Sequence, residues 1–284
     1  MFGLFKKKEE PQPQTPDMDR GELRRFAEKF QPEELTILAV TGANGFGGGK
    51  GRGETLWTIM LGLTAWMEED SDEIHRGEFL LSTLGDEQLL DYLREHIPKD
   101  FIIKCRARVS EDGKRLLLLD IPQPAFESRL KAILEEQKKP VTFWEDGLGT
   151  FTLNRTVNWF ETDIDWLGAA VSLSFDWDEN RADCVQNAKT LLADAEGWDK
   201  RVREYAADEL LSLANDWSQD MDGDGEAVEI TREQFMERME LGSIQISEDG
   251  SFEFWFDDGW MFAGHSIHVC GDLENGPDYA QMEG

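Results

Sequence analysis

The sequence predicts an α+β protein of two domains, each an antiparallel sheet with helices packed on one face. Three observations lead there. Runs with an apolar residue at every second position recur in both halves of the chain, and a period of two is a strand signature. In the C-terminal half two aromatic-rich strand blocks, Gly149 to Phe175 and Ser243 to Val269, bracket amphipathic helices; strands grouped with strands give α+β, not the alternating order of α/β folds. The 284-residue chain is also 40% hydrophobic with 17 Phe and 10 Trp, enough to fill two cores.

Residues 1–18 end in EEPQPQTPD, which has nothing to bury and reads as a disordered tail and linker. The N-terminal domain, 19–140, starts with a short charged helix, DRGELRRFAEKF, and the apolar run LTILAV, a buried strand. In TLWTIMLGLTAWM, Trp57, Ile59, Leu61, Leu63 and Met67 share one face of a strand, with Thr58, Gly62, Thr64 and Trp66 opposite. GEFLLSTL is a further strand, and GDEQLLDYLREHI is a helix whose first turn carries the acids that suit its dipole. FIIKCRARVSEDGKRLLLLDI predicts a hairpin closed by a type I′ turn at Asp112-Gly113. AFESRLKAILEEQKK places Phe126, Leu130, Ile133 and Leu134 on one helical stripe. These elements make a small mixed domain, a partly open barrel with two helices.

The C-terminal domain, 141–284, opens with a half-buried strand in which Phe160, Ile164 and Trp166 alternate with Glu161, Asp163 and Asp165. Leu167-Gly168 turns the chain, and Val171, Leu173 and Phe175 continue the buried face. One helix follows with Val185, Ala188, Leu191 and Leu192, and a second with Val202, Tyr205, Ala206, Leu210 and Leu213. Thr231 and Gln234 form a capping box that starts a third. The chain returns to strands, turning at Asp249-Gly250 and near Asp258-Gly259; FWEDGLGTF and FWFDDGWMF read as two hairpins with like turn chemistry.

The net charge of −30 and pI near 4.4 repel phosphate backbones and anionic lipid, so non-specific nucleic-acid binding is not expected. The same surface suits a basic protein partner. Cys105, Cys184 and Cys270 are too sparse for a disulfide framework and lack zinc-site spacing, which fits reduced thiols in the cytoplasm. No apolar run approaches a membrane span, and the opening MFGLFKKKEE has the wrong order of charge and apolar residues for a signal peptide.

Four constellations bear on chemistry. TGANGFGGGKGRGET has the glycines of a phosphate loop, but Gly51 stands where Ser or Thr must follow Lys50. It reads as a mobile connection between strands, with Lys50 and Arg52 as the cations that an anionic ligand would meet. DMDGDGEAVEIT sets Asp220, Asp222 and Asp224 at the first three ligand positions of a calcium loop, but Thr231 replaces the closing Glu. No cofactor is expected beyond weak Ca2+ at that loop. In DDGWMFAGHSIHVCGD, His265 with Asp257 or Asp258 is the candidate acid–base pair of a hydrolase-like enzyme, against the plainer reading of His265 as a hydrogen-bonded hairpin histidine. Ser266, His268 and Cys270 share a strand face, and a metal there needs ligands from elsewhere. Last, Trp144, Trp159, Trp166, Trp255 and Trp260 form either core or a binding platform; alternation sets Trp159 beside Glu161 and Asp163, the expected exposed aromatic among carboxylates.

Four segments in order, LGTFTLNRTVNWFETDIDWLG, WDKRVREYAADELLSLANDW, ITREQFMERMEL and DGSFEFWFDDGWMFAGHSI, resemble the bacterial domain-of-unknown-function family DUF2262 over roughly 141–284. The N-terminal domain looks like the extension often found in front of it. The resemblance implies no reaction, cofactor or catalytic residue. The functional expectation therefore rests on the residues: a cytoplasmic, non-catalytic interaction module with an acidic face, one form of which is an immunity-type inhibitor of a basic toxin or nuclease.

Overall fold

The computed structural model describes residues 20–176, 181–221 and 229–284, and the chain divides into two compact units after Lys139. The tail expected over 1–18 lies outside the described residues. Both units are α+β.

The first unit is built on β1 (Leu35–Thr41), β2 (Gly47–Gly49), β3 (Trp57–Glu68), β4 (His75–Gly85), β5 (Ile102–Val109), β6 (Arg115–Leu118) and β7 (Gln123–Pro124). Pairing runs β1-β3-β4-β6-β5, and β1 also pairs with β5, so five strands close into a barrel. Full closure, not the partly open form expected, leaves no free edge in the ring. The β4–β6 pair is parallel, a departure from an all-antiparallel sheet. Inside sit Ile37, Ile59, Leu61, Leu63, Leu81, Ile103, Cys105 and Leu116, and α2 (Glu87–His96) adds Leu90 and Leu93 to the same core. Asp86 caps α2 by accepting the Leu89 N–H at 2.9 Å. α3 (Ser128–Gln137) covers the outside with Leu130 on Leu38, Val40, Ala65, Met67 and Ile102. β1 is therefore buried on both faces from Ile37 on, which is why residues 37–40 are an unbroken apolar run.

Three local expectations are corrected here. A bulge between Leu63 and Ala65 reverses the facing of β3, so Trp66 joins the barrel interior and Met67 turns to the α3 layer. Phe126 precedes α3 and is 75% exposed, so it is not part of the helix stripe. The β5–β6 turn has only Gly113 at positive φ (70°), whereas a type I′ turn needs two such residues. Asp112 stays on the ordinary side of φ because its carboxylate accepts the Ser110 hydroxyl at 2.5 Å and the Lys114 N–H at 3.0 Å.

The second unit holds one eight-stranded open sheet: β8 (Thr142–Glu145), β9 (Gly149–Asn154), β10 (Trp159–Trp166), β11 (Ala169–Asp176), β12 (Glu240–Ile246), β13 (Ser251–Asp257), β14 (Ser266–Asp272) and β15 (Gly276–Glu283), in that spatial order. All neighbours are antiparallel except β11–β12. A parallel pair needs a long crossover, supplied by α4 (Arg181–Ala193), α5 (Ala195–Met221) and α6 (Arg232–Arg238). Leu167 (φ 55°) and Gly168 (φ 90°) make the tight β10–β11 turn. The Thr231–Gln234 capping box starts α6 as the sequence predicts. FWEDGLGTF is a hairpin, but FWFDDGWMF leads from β13 into the longer 258–265 connection, so the two segments share composition and not geometry. Strand β15 had no sequence signal, since GPDYAQME opens with Gly-Pro and has little apolar alternation.

Phe151, Phe160, Phe175, Phe252, Phe254 and Phe256 all point from the sheet into one core with Val185, Leu191, Trp198, Val202 and Phe235 from the helices. Arg203 pins this layer. Its Nε donates to Asp199 at 2.7 Å and its NH1 to the carbonyls of Met236 and Met239 at 2.8 and 2.5 Å, satisfying the C-terminal end of α6. Asp199 also accepts the Trp166 indole N–H at 3.2 Å, which ties β10 into the same network. Arg203→Ala strands those acceptors in a largely buried place and is expected to cost about 2–4 kcal/mol. Arg201→Ala, which removes an exposed guanidinium lying over Trp198, is expected to cost under about 1 kcal/mol. Denaturant midpoints followed by tryptophan fluorescence check the pair; equal shifts count against the network.

Candidate functional site

Because the helices of the second unit pack on one face of its sheet, the residues between the buried ones form the opposite face. Reading the register across, that face carries Glu161, Asp163 and Asp165 on β10, Ser172 and Ser174 on β11, and Ser243 and Gln245 on β12. Glu253, Trp255 and Asp257 follow on β13, Ser266, His268 and Cys270 on β14, and Tyr279, Gln281 and Glu283 on β15. No lysine or arginine occupies these positions on β8–β15.

The densest part lies on β13–β15. Trp255 stacks on His268 with ring centroids 3.9 Å apart and planes 13° apart. His268 is only 8% exposed. Its Nε2 meets Glu253 Oε2 at 3.0 Å and Cys270 Sγ at 3.2 Å, while Nδ1 is buried without a hydrogen bond, 3.8 Å from Glu283 Oε1. The Trp255 indole also donates to Glu253 Oε2 at 3.2 Å. Burial, then the charges of Glu253, Asp278 and Glu283, push the Cys270 thiol up to about 11. A thiol held that high is not a nucleophile at neutral pH. Among the described residues no three His, Cys, Asp or Glu are arranged to hold a metal ion. Alternation had put His268 and Cys270 on one face; their partner Glu253 comes from the strand register, which the sequence does not display.

The tryptophans divide in a way alternation alone did not predict. Trp166 is core, whereas Trp144 (66%) and Trp260 (76%) are the exposed ones. Trp159 is half-buried, its indole N–H held by Glu161 Oε2 at 3.1 Å, and Asn154 Nδ2 donates to the same carboxylate at 3.2 Å. Asp163 is exposed two residues along. Trp159, Glu161 and Asp163 thus do share a face, but Trp159 is turned along the sheet by its neighbour and does not stand clear of it.

Asp258 is fully buried and takes three backbone N–H groups: Trp260 on Oδ1 at 2.9 Å, and Phe262 and Gly264 on Oδ2 at 2.6 and 3.1 Å. It shapes a connection in which Gly259, Trp260, Ala263 and Gly264 all have positive φ. His265 lies at its end, half-buried against the edge of Trp217, with Nδ1 on the Phe262 carbonyl at 2.5 Å. Asp257 is exposed and accepts the Gly259 N–H at 2.9 Å. The hydrogen bonds of Asp258 and His265 go to the backbone of their own loop, an arrangement that organises the turn.

The segment read as a mobile glycine connection is part strand: Gly47–Gly49 pairs with β3 as β2. A side chain at Gly48 would come within 2.8 Å of Leu90, so glycine lets this strand lie under α2. Lys50 and Arg52 follow it, both exposed, beside a turn closed by the Gly51 N–H on Glu54 Oε2 at 2.7 Å. Of the calcium-loop residues, Asp220 lies in the last turn of α5, and Asp222 and Asp224 are outside the described residues.

A family model described as an uncharacterized protein conserved in bacteria, DUF2262, matches residues 145–282. The C-terminal domain is a DUF2262 domain. A domain of unknown function, DUF7021, matches residues 22–137 and accounts for the barrel. No curated protein and no solved structure matches the chain. No helix among the described residues is long and apolar enough to cross a membrane.

Two measurements examine the DUF2262 site. Asp258→Ala orphans three amides, two of them donors to the same buried oxygen, and is expected to lower stability by about 3 kcal/mol or more, with His265→Ala costing less than half of that. Urea unfolding compares them, and a larger loss for His265→Ala contradicts the assigned roles. Cys270 is the one cysteine not buried. With its thiol near 11, the thiolate fraction at pH 8 is about one in a thousand, so native iodoacetamide labelling should be slow and rise steeply towards pH 11. Glu253→Gln removes a negative charge, lowers that pKa and should speed labelling at pH 8; an unchanged rate sinks the electrostatic account.

Proposed function

We propose that the protein is a non-catalytic cytoplasmic interaction module whose DUF2262 domain receives a basic protein partner on the helix-free face of its sheet. The supporting observation is the charge of that face: its strand positions hold carboxylates and aromatics and no lysine or arginine. Aromatic bodies beside carboxylates supply contact area and pair with Arg or Lys, while the −30 charge of the chain steers a cationic surface towards it. Trp159 with Glu161, and Trp255 with Glu253, each set an indole against an acceptor, so these rings are already ordered before a partner arrives. An immunity-type inhibitor that masks a basic toxin or nuclease is one concrete form of such a module.

The high thiol pKa of Cys270 and the backbone-bound carboxylate of Asp258 support binding over catalysis at this domain. The test is co-purification from the native host with a charge-reversed control. A basic protein should be retained at about 50 mM salt and released at about 500 mM. It should also be lost from Glu161→Lys/Asp163→Lys/Glu253→Lys protein that melts like wild type. A partner retained equally by the reversed face, or no partner at either salt, defeats the reading.

A further inference from the structure

The barrel domain carries a second feature, independent of the acidic sheet. Helix α1 (Arg20–Ala27) does not pack flat on the barrel but is fastened at its two ends. At the start, Glu22 Oε2 accepts the Thr55 hydroxyl at 2.6 Å. At the end, the Arg108 guanidinium donates to the carbonyls of Ala27, Phe30 and Gln31 at 3.2, 2.9 and 2.5 Å, closing the open C-terminal end of the helix. Between these clamps lies a groove of about 440 Å³. That volume falls in the range of small-molecule sites, about 300–1,000 Å³.

The floor follows from the register of the strands. On β3 and β4 the barrel takes Ile59, Leu61 and Leu81, so Thr58, Met60, Leu80, Ser82 and Leu84 face outward into the groove. Phe26 of α1 supplies the opposite wall. At the mouth stand Arg25, Lys29 and Arg115, all exposed, and none makes an ion pair among the described residues; Lys29 instead lies over the Phe26 ring at 5.2 Å. The two carboxylates in the lining are engaged elsewhere, Glu22 on Thr55 and Glu54 on the Gly51 N–H at 2.7 Å. In a chain with 59 acidic and 29 basic side chains, three cations gathered around an apolar slot with no ion pair among the described residues are the exception.

The geometry points to a binding site for a small anionic amphiphile: an apolar body on the Met60–Leu80–Leu84 floor and a carboxylate, sulfonate or phosphate head among Arg25, Lys29 and Arg115. The apolar part contributes burial and the cations orient the head, each exposed contact adding modestly. Electrostatics alone would send an anion away from so acidic a protein, so saturable anion binding needs this local reversal.

The experiment uses anilinonaphthalene sulfonate as the anionic probe and phenylnaphthylamine, which has the same aromatic body without the sulfonate, as the neutral one, both on the full chain. Fluorescence titration should saturate with anilinonaphthalene sulfonate. Arg25→Gln/Lys29→Gln, one change on the exposed side of α1 and one in the exposed turn after it, should weaken that probe about fivefold or more and the neutral one less than about twofold. Thr58→Trp fills the groove and should remove both. Absence of saturable anionic binding to wild type, or equal affinity for the Gln variant and wild type, overturns the site. If Thr58→Trp melts early, the Gln variant still decides.

Discussion

The DUF2262 domain depends on one constraint: the parallel pairing of β11 with β12. Two hairpin-rich halves of a sheet can be joined in parallel only by a crossover, and here the crossover is three helices long. All of it returns on the same side. The phenylalanines of the strands are all drawn to that side, and Arg203 fixes the helices there by answering the carbonyls of α6 and the carboxylate of Asp199 together. The far side is left without a covering helix among the described residues. Its composition is free to be acidic, and its strand positions hold no Lys or Arg.

The same separation of duties governs the candidate site. A carboxylate that takes backbone amides is spent on structure, as Asp258 is, whereas Glu253 and Glu161 meet side chains, indoles in both cases, with an imidazole on Glu253 and an amide on Glu161. His268 shows the cost of that arrangement. It is covered by Trp255, touched by Glu253 and Cys270 at one nitrogen, and has an unpartnered nitrogen facing Glu283. Unsatisfied buried polar atoms are uncommon in native folds. This one lies one strand in from the β15 edge of the sheet, among the half-buried acids Glu253 and Glu283.

Much of the architecture was legible because period-two patterning is a local property. The core residues of β10, β11 and β13, the Thr231–Gln234 capping box and the Leu167-Gly168 turn follow from a few neighbours each. What the sequence did not display was pairing. Closure of the barrel by β1–β5 is a contact between segments far apart in the chain. The bulge at Leu63–Ala65 flips Trp66 and Met67 without any marker residue, because Thr64 fits either face. The site was legible to the same degree: Trp159 with Glu161 is a same-strand relation and was found, and Glu253 with His268 crosses strands and was not.

The two domains answer the acidic composition in opposite ways. In the barrel, basic side chains are used singly as fasteners, Arg108 on the end of α1 and Arg129 on Glu127 and Asp72. Arg129 beside it holds the half-buried Glu127 carboxyl down at about 2, so its hydrogen bonds to the guanidinium outweigh burial, which acts the other way. Arg25, Lys29 and Arg115 make no ion pair among the described residues. In the DUF2262 sheet the cations are withdrawn to the helix side instead, where Lys189 meets Glu145 and Arg203 meets Asp199. Exposed cations thus gather around a slot on one domain, and the strand positions of a sheet face on the other hold none. That division follows from where each fold leaves surface free of packing, and the two proposals above draw on it.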